Sequence, residues 1–275
     1  MRLLLLLVLL SLVYGKELKF CQKGYYLLFP VGYSCTTYAV KDGKLFMSGW
    51  TKSSFIGAVV KKLRLESEAV ASLSFTSERF LARIKTPKYE KLHRYAFKGN
   101  EVYYEIRVVE NGKEKVKKGT LRVSSPVDPF LAGVLLYLTA DEREREIRFF
   151  YDGLEQRVVY RVVGRETLER MGREWKTLKV EVKPFVKTEG LLKPKGSWLV
   201  WIDEETRLPV RLKVSFVIGS ANVWIDALEG DETLLKSLKE ALEKARGGSL
   251  REGGGKASAL SLPSRSAREA ASARP

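Results

Sequence analysis

Short segments in which apolar and charged residues alternate, separated by tight-turn dipeptides, constrain the fold of this chain more than any other feature. In residues 178–183, leucine and valine alternate with lysine and glutamate, which is the period of a strand with one buried face. Asp42-Gly43 and Asn111-Gly112 each separate two strand-like segments, and such dipeptides favour two-residue hairpins. The pattern extends over residues 17–228 and predicts a mainly β fold, a curved antiparallel sheet or an incompletely closed barrel.

One segment departs from the strand pattern. Two prolines within residues 126–129 precede the apolar run 130–138, and prolines are common at the first turn of a helix. Asp128 stands where an acidic residue stabilises a helix start, and we interpret it so rather than as a catalytic acid. We therefore predict a short buried helix that covers the apolar, concave side of the sheet.

The C-terminal part of the chain has a different character. Residues 231–246 carry leucine and alanine at helical spacing, acidic residues early and basic residues late, which predicts an amphipathic helix. Its apolar stripe would dock on the parent domain or, less commonly, on a membrane surface or a partner. Residues 247–275 are rich in Gly, Ser, Ala and Arg and are expected to be disordered. The predicted division is a β domain over 16–229, a helix over 230–246 and a tail.

The first fifteen residues predict export. Arg2 precedes an apolar run over residues 3–13, and Gly15 stands where a signal peptidase would cleave. The run is shorter than the roughly 20 residues that a membrane-spanning helix needs, so we expect a cleaved signal peptide over 1–15 and a mature chain that begins at Lys16. The expected location is the periplasm or cell envelope.

Cysteine content agrees with an exported chain. Cys21 and Cys35 are the only cysteines, and an even number in an oxidising compartment favours a disulfide between them. The alternative is a pair of buried thiols on neighbouring strands. A redox motif is not indicated, because the spacing is too wide.

The chain is strongly basic. It contains 49 Lys and Arg against 33 Asp and Glu, a formal net charge of +16. Such a charge favours anionic neighbours such as lipid headgroups, so peripheral membrane contact is possible, although a solvated surface accounts for most of these residues. We do not expect nucleic-acid binding, since the basic residues are scattered along strands instead of being grouped with stacking aromatics.

No arrangement of residues typical of an enzyme stands out. His93 is the only histidine, which leaves little from which to build a His-based triad or a multi-histidine metal site, and we interpret it as an ordinary strand residue. The acidic cluster 203–205 could supply acid–base groups, but it precedes a predicted hairpin loop, where solvated acids are common. We therefore expect no catalysis, no metal and no cofactor.

Eight segments of the chain carry the motifs of one bacterial family. They are 29–32, 125–132, 136–138, 147–153, 162–166, 175–182, 195–203 and 207–212. In this order they resemble the exported domain of unknown function 3108, strongly from residue 121 to 228 and more weakly from about 45 to 120. The resemblance implies a curved, incompletely closed antiparallel barrel, loosely similar to carriers of lipids and lipoproteins in the bacterial envelope. It implies no catalytic residues.

Aromatic and aliphatic side chains offer one candidate ligand site. An open barrel could expose a concave apolar surface to an acyl chain. Trp198 and Trp201 differ by an odd number of positions, so in a regular strand they face opposite sides. The residues predicted to contact such a ligand are Phe130, Leu135, Phe149, Trp198, Phe216 and Trp224.

These observations lead to two functional hypotheses. The first is an exported, non-catalytic envelope protein that binds an apolar or lipid-like ligand, and it predicts an internal apolar cavity of several hundred cubic ångströms. The second is a structural or assembly protein that docks a partner through its sheet or its C-terminal helix, and it predicts a filled interior. Oligomeric state does not follow from the sequence.

Overall fold

A computed structural model describes residues 16–54, 62–185, 196–215 and 219–252. The predicted signal peptide over 1–15, the tail beyond residue 252 and the predicted ligand residue Phe216 lie outside these ranges. The described chain contains two helices, α1 (Pro129–Thr139) and α2 (Leu234–Glu252). Its strands are β1 (Lys16–Tyr26), β2 (Phe29–Lys41), β3 (Lys44–Ser53), β4 (Arg64–Ser72), β5 (Ser77–Thr86), β6 (Tyr89–Lys98), β7 (Glu101–Glu110), β8 (Lys113–Arg122), β9 (Arg145–Tyr151), β10 (Leu154–Arg170), β11 (Arg173–Phe185), β12 (Trp198–Asp203), β13 (Pro209–Ser215) and β14 (Ser220–Gly230).

The strands form one antiparallel sheet that is not closed. Its order is β8-β7-β6-β5-β4-β3-β2-β1-β14-β13-β12-β11-β10-β9, so β1 lies in the interior of the sheet and β8 and β9 are its edges. The chain proceeds from β1 to one edge, crosses through α1 to the other edge, and returns to β1 through β14. The predicted curved antiparallel sheet is confirmed. Because β8 and β9 do not pair with each other, the described strands do not form a closed barrel.

Hairpin turns occur where the dipeptides predicted them. Asp42 and Gly43 connect β2 to β3 with φ values of 51° and 70°, and Asn111 and Gly112 connect β7 to β8 with 50° and 79°. Two successive residues at positive φ match the right-handed twist of the strands that they join. Local turn chemistry therefore determines these two reversals.

Side chains link the two halves of the sheet across its interior. Phe150 of β9 contacts Tyr95 of β6 and Tyr104 of β7, with ring centroids 4.9 Å and 5.4 Å apart. The Tyr95 hydroxyl also accepts a hydrogen bond from the backbone N–H of Asp152, at 3.0 Å. The sheet is therefore curved enough that aromatic contacts, instead of backbone pairing, bring its edge regions together.

The two sheet edges are protected in different ways. The β9 edge is covered by the segment that precedes α1, since the Phe150 N–H donates to the Val127 carbonyl at 2.8 Å. The same segment reaches β5, where the Ser77 N–H donates to the Pro126 carbonyl at 2.8 Å. The exposed β8 edge carries several lysines, which discourage pairing with another chain.

Helix α1 lies in the core, as predicted. Its side chains at Leu131 and Val134 are fully buried, and those at Leu136 and Leu138 nearly so. Helix α2 packs against α1 and β1 through four buried leucines, Leu234, Leu235, Leu238 and Leu242. The predicted end of this helix at residue 246 is corrected to Glu252. Within the described residues, no helix has both the length and the apolar content needed to cross a membrane.

Cys21 and Cys35 form the predicted disulfide. They lie directly opposite each other in the β1–β2 pair, with Cα atoms 4.0 Å apart. The alternative of two separate thiols is therefore excluded. The bond fastens the β1–β2 hairpin at the centre of the sheet.

Replacing Leu136 with Asp should abolish folding. Leu136 is 7% exposed, and an unpaired carboxylate at that depth costs several kcal/mol, a large share of the stability of a domain. We expect loss of the cooperative thermal transition by circular dichroism. Thr167→Asp, at an exposed strand position, serves as the control and should melt like the parent protein. A normal melting temperature for Leu136→Asp would contradict the buried position of α1.

Candidate functional site

A buried acid holds the N-terminus of α1. Asp128 is fully buried, and its Oδ1 accepts hydrogen bonds from the N–H groups of Phe130 and Leu131 at 2.7 Å and 3.0 Å. Ser77 donates to Oδ2 at 2.6 Å and accepts from the Asp128 N–H at 2.8 Å. Asp128 is therefore the predicted helix-start residue, and its partner Ser77 fixes the helix to β5.

A buried base holds the other end of the same helix. Arg207 is 4% exposed and donates to the carbonyls of Tyr137, Leu138 and Ala140 at 2.9 Å, 3.3 Å and 2.9 Å. These carbonyls have no partner within the helix, and their partial negative charge favours a cation. No residue beside Arg207 signals this contact, because Arg207 follows the helix by almost 70 residues.

Four of the six predicted ligand residues belong to the interior, but at different places. Phe130 contacts Tyr38, with ring centroids 6.2 Å apart, whereas Leu135 lines a cleft beside β9. Phe149 is buried in the core, and Trp198 packs against that core. Of four cavities of about 390–550 Å³, none is lined by more than one of the six residues. These four cavities therefore do not bring the predicted residues together.

Trp224, which also belongs to the predicted ligand set, lies with Trp201 on the outer face of the sheet. The Arg211 guanidinium lies 4.4 Å from the ring centroids of both tryptophans. Glu166 accepts a hydrogen bond from the Trp201 indole N–H at 2.8 Å. The prediction that Trp198 and Trp201 face opposite sides agrees with this arrangement, since Trp198 packs against the core.

The outer face of β2–β6 carries a cavity of about 550 Å³. A second cavity of about 410 Å³ adjoins it and shares five lining residues. We call the two together the outer trough. The shared residues form one cross-strand row, Thr37, Ser48, Glu68, Leu81 and Arg94.

The trough combines apolar and charged side chains. Trp50 and Phe46 are each 37% exposed at its two ends, and Leu81 and Leu92 contribute to its lining. Cations and acids border it on both sides, and four of them form ion pairs with residues outside its lining. Its charged lining residues are Lys19, Glu66, Glu68, Arg79, Arg83 and Arg94.

His93 lies in β6, as the prediction of a strand residue requires, and its side chain is part of the core. It is fully buried, its Nδ1 lies 2.7 Å from the Tyr95 hydroxyl, and its ring stacks on Tyr151 at 4.9 Å. Burial, with a smaller contribution from Lys91, lowers the pKa of His93 to about 4. The imidazole is therefore neutral at physiological pH, and it is part of the aromatic contacts across the interior.

The acidic cluster at 203–205 stabilises a turn. Asp203 is 7% exposed, and its Oδ2 accepts hydrogen bonds from the Thr206 N–H and hydroxyl at 2.8 Å and 2.7 Å. Glu204 and Glu205 are exposed, as the predicted solvated loop requires. Within the described residues, no group of three or more His, Cys, Asp or Glu is positioned to hold a metal ion.

Asp128 should make the stability of the protein depend on pH. Burial raises the pKa of its carboxyl from 3.8 to about 6, although its hydrogen bonds act in the opposite direction. A raised pKa contributes stability that is fully present below pH 3.8 and is lost as the pH rises through about 6. The free energy of unfolding of the parent relative to Asp128→Asn should therefore be higher at pH 4 than at pH 7.5, by up to about 3 kcal/mol.

Urea unfolding at a series of pH values measures this difference. His93 has a lowered pKa, so its contribution to stability decreases as the pH falls towards 4, opposite to that of Asp128. Comparing parent and variant at each pH cancels this contribution, because both proteins contain His93. Asn keeps an oxygen for the Phe130 and Leu131 N–H groups, so the cap survives in the variant. A difference that stays constant, or that grows as the pH rises, would show that burial does not dominate at Asp128.

Comparison with known proteins places the chain in a family. Among curated proteins, no relative matches the sequence. Residues 41–226 match the family described as "Protein of unknown function (DUF3108)". The matched region extends from the end of β2 into β14 and includes α1, Asp128, Arg207 and most of the outer trough. Because the match covers more than half of the chain, this protein belongs to the DUF3108 family.

Proposed function

We propose that this chain is an exported, non-catalytic protein of the cell envelope that docks a partner protein through the outer trough. The observation that carries the proposal is the trough itself, two adjoining cavities of about 550 and 410 Å³ on the outer face of β2–β6. The disulfide between Cys21 and Cys35 supports export, because such bonds persist in oxidising compartments.

The chemistry of the trough suits a polypeptide segment. Tryptophan and arginine are enriched where proteins bind one another, and the trough has Trp50 at one end and Arg83 and Arg94 along one side. Its acids would pair with basic groups of the partner and its cations with acidic ones. Glu68 and Arg79 make no ion pair with another described residue, so both are available to a partner.

A lipid-like ligand is the second candidate. The side chains of Trp50, Leu81 and Leu92 give the trough an apolar part, and Arg83 and Arg94 lie beside it. This combination would suit an acyl chain with an anionic head. The described interior offers such a ligand less support, because α1 and its neighbours pack there as one continuous core.

Site-specific photocrosslinking tests both candidates. A photoreactive amino acid at Ser48, on the shared row of the trough, should give one dominant protein adduct in the producing cell, identified by mass spectrometry. The same group at Thr167, exposed on β10 and outside the trough, serves as the control. Adding Leu81→Glu should reduce the Ser48 adduct about tenfold, since it places a charge in the apolar part of the trough.

Each outcome bears on the proposal. Docking of a protein would be supported by three results together. Ser48 gives a protein adduct, Leu81→Glu removes this adduct, and the control position Thr167 gives none. A lipid adduct with the same dependence would replace the first candidate with the second. Equal adducts at Ser48 and Thr167, or none at Ser48, would overturn the trough as a binding surface.

A further inference from the structure

The turn between β1 and β2 exposes apolar side chains to solvent. Leu28 is 90% exposed, and its neighbours Leu27 and Phe29 are 56% and 57% exposed. Leu27 has a φ of 54°, a conformation uncommon for leucine, and its N–H donates to the Ser220 carbonyl at 3.3 Å. We call Leu27, Leu28 and Phe29 the apolar tip. Three adjacent exposed apolar residues at one hairpin end are a feature of contact surfaces.

Behind the apolar tip, cations and aromatic residues share one continuous row on the outer face. Each member lies directly opposite the next across nine neighbouring strands, from β11 to β5. The members of this cation–aromatic row are, in order, Lys179, Trp201, Arg211, Trp224, Lys23, Tyr33, Lys52, Arg64 and Lys85. The acids that face it are Glu166, Glu66 and Glu90, which pair with Lys179, Arg64 and Lys85.

Two cations of the row, Lys23 and Lys52, form no ion pair with another described residue. They lie 5.8 Å and 5.2 Å from the rings of Tyr25 and Trp50. Arg211 lies between two tryptophans, donates to Asn222 and is attracted by Glu166. Each of these cations therefore contacts an aromatic ring. Surfaces at which cations and Tyr or Trp occur together, beside apolar residues, are typical of the membrane–water interface.

Distances agree with the same interpretation. Lys23 precedes Leu27 by four residues, which is about 13 Å along a strand. An apolar element that contacts a bilayer is buried to a depth of roughly 5–10 Å, so a tip inserted to this depth would bring the row to the level of the lipid phosphates. The net charge of +16 adds long-range attraction towards an anionic surface.

We propose that the apolar tip and the cation–aromatic row together bind the surface of a membrane that contains anionic lipids. The tip enters the outer part of one leaflet, and the row lies against its headgroups. This inference uses only the exported location from the proposed function and does not depend on the outer trough.

Vesicle binding by the mature chain, residues 16–275, tests the inference. We expect co-sedimentation with vesicles of phosphatidylcholine and phosphatidylglycerol at a ratio of about 3:1, and about tenfold weaker binding to pure phosphatidylcholine. Binding should also weaken as salt is raised, since salt screens exposed charges. Absence of binding to the anionic vesicles would overturn the proposal, and so would equal binding to both compositions.

Two variants test the two parts of the surface. Leu28→Asp should weaken binding to the anionic vesicles about tenfold, and Lys23→Glu combined with Lys52→Glu should weaken it at least as much. All three positions are exposed or half-buried on the surface, so folding should survive, and melting temperatures check this. Unchanged vesicle binding in either variant would overturn the assignment of that part of the surface.

Matched controls separate position from chemistry. Met171→Asp changes another exposed apolar turn residue, 42% exposed at the opposite end of the sheet, and should bind normally. Lys41→Glu with Lys176→Glu makes the same change of net charge at exposed positions of that opposite end and should lower binding much less than the row variant. Leu81→Glu in the trough should bind vesicles like the parent, so failure of this inference and failure of the proposed function can be distinguished.

Discussion

Helix α1 is held inside the sheet by the hydrogen bonds of one buried polar side chain at each of its ends, and the rest of the architecture depends on this arrangement. Asp128 satisfies N–H groups at its start and Arg207 satisfies carbonyls at its end. Both side chains are buried, so water could not replace either of them. The helix that lies between the two halves of the sheet is consequently fixed to β5 through Ser77 and to the β12–β13 turn through Arg207.

The buried helix explains why the sheet can remain open. A strongly curved sheet with two free edges would expose its concave face to water unless another element covered that face. Here α1 supplies apolar side chains to both halves, and the segment before it covers the β9 edge. The concave face is therefore occupied by the chain itself, which leaves the outer face as the part of the sheet with most room for other molecules.

Features specified by neighbouring residues could be predicted from the sequence, and those specified by pairing between distant segments could not. The hairpins at Asp42-Gly43 and Asn111-Gly112 and the cap at Asp128 depend on a few adjacent residues. Arg207 acts on carbonyls almost 70 residues away, so nothing beside it reveals its role. Likewise, Trp201, Arg211 and Trp224 come together only through the β12–β13–β14 register, and the predicted ligand set joined residues that this register separates.

The adjacency of β1 and β14 has a consequence for the order in which the molecule can assemble. Lys19 and Glu229 pair across these strands although 210 positions separate them. During folding the β1–β2 hairpin can form as soon as its two strands meet, but one edge of β1 must wait for β14, near the end of the domain. Until then an interior strand behaves as an exposed edge, open to pairing with the wrong partner. The disulfide to Cys35 would hold β1 in its correct hairpin register throughout that interval.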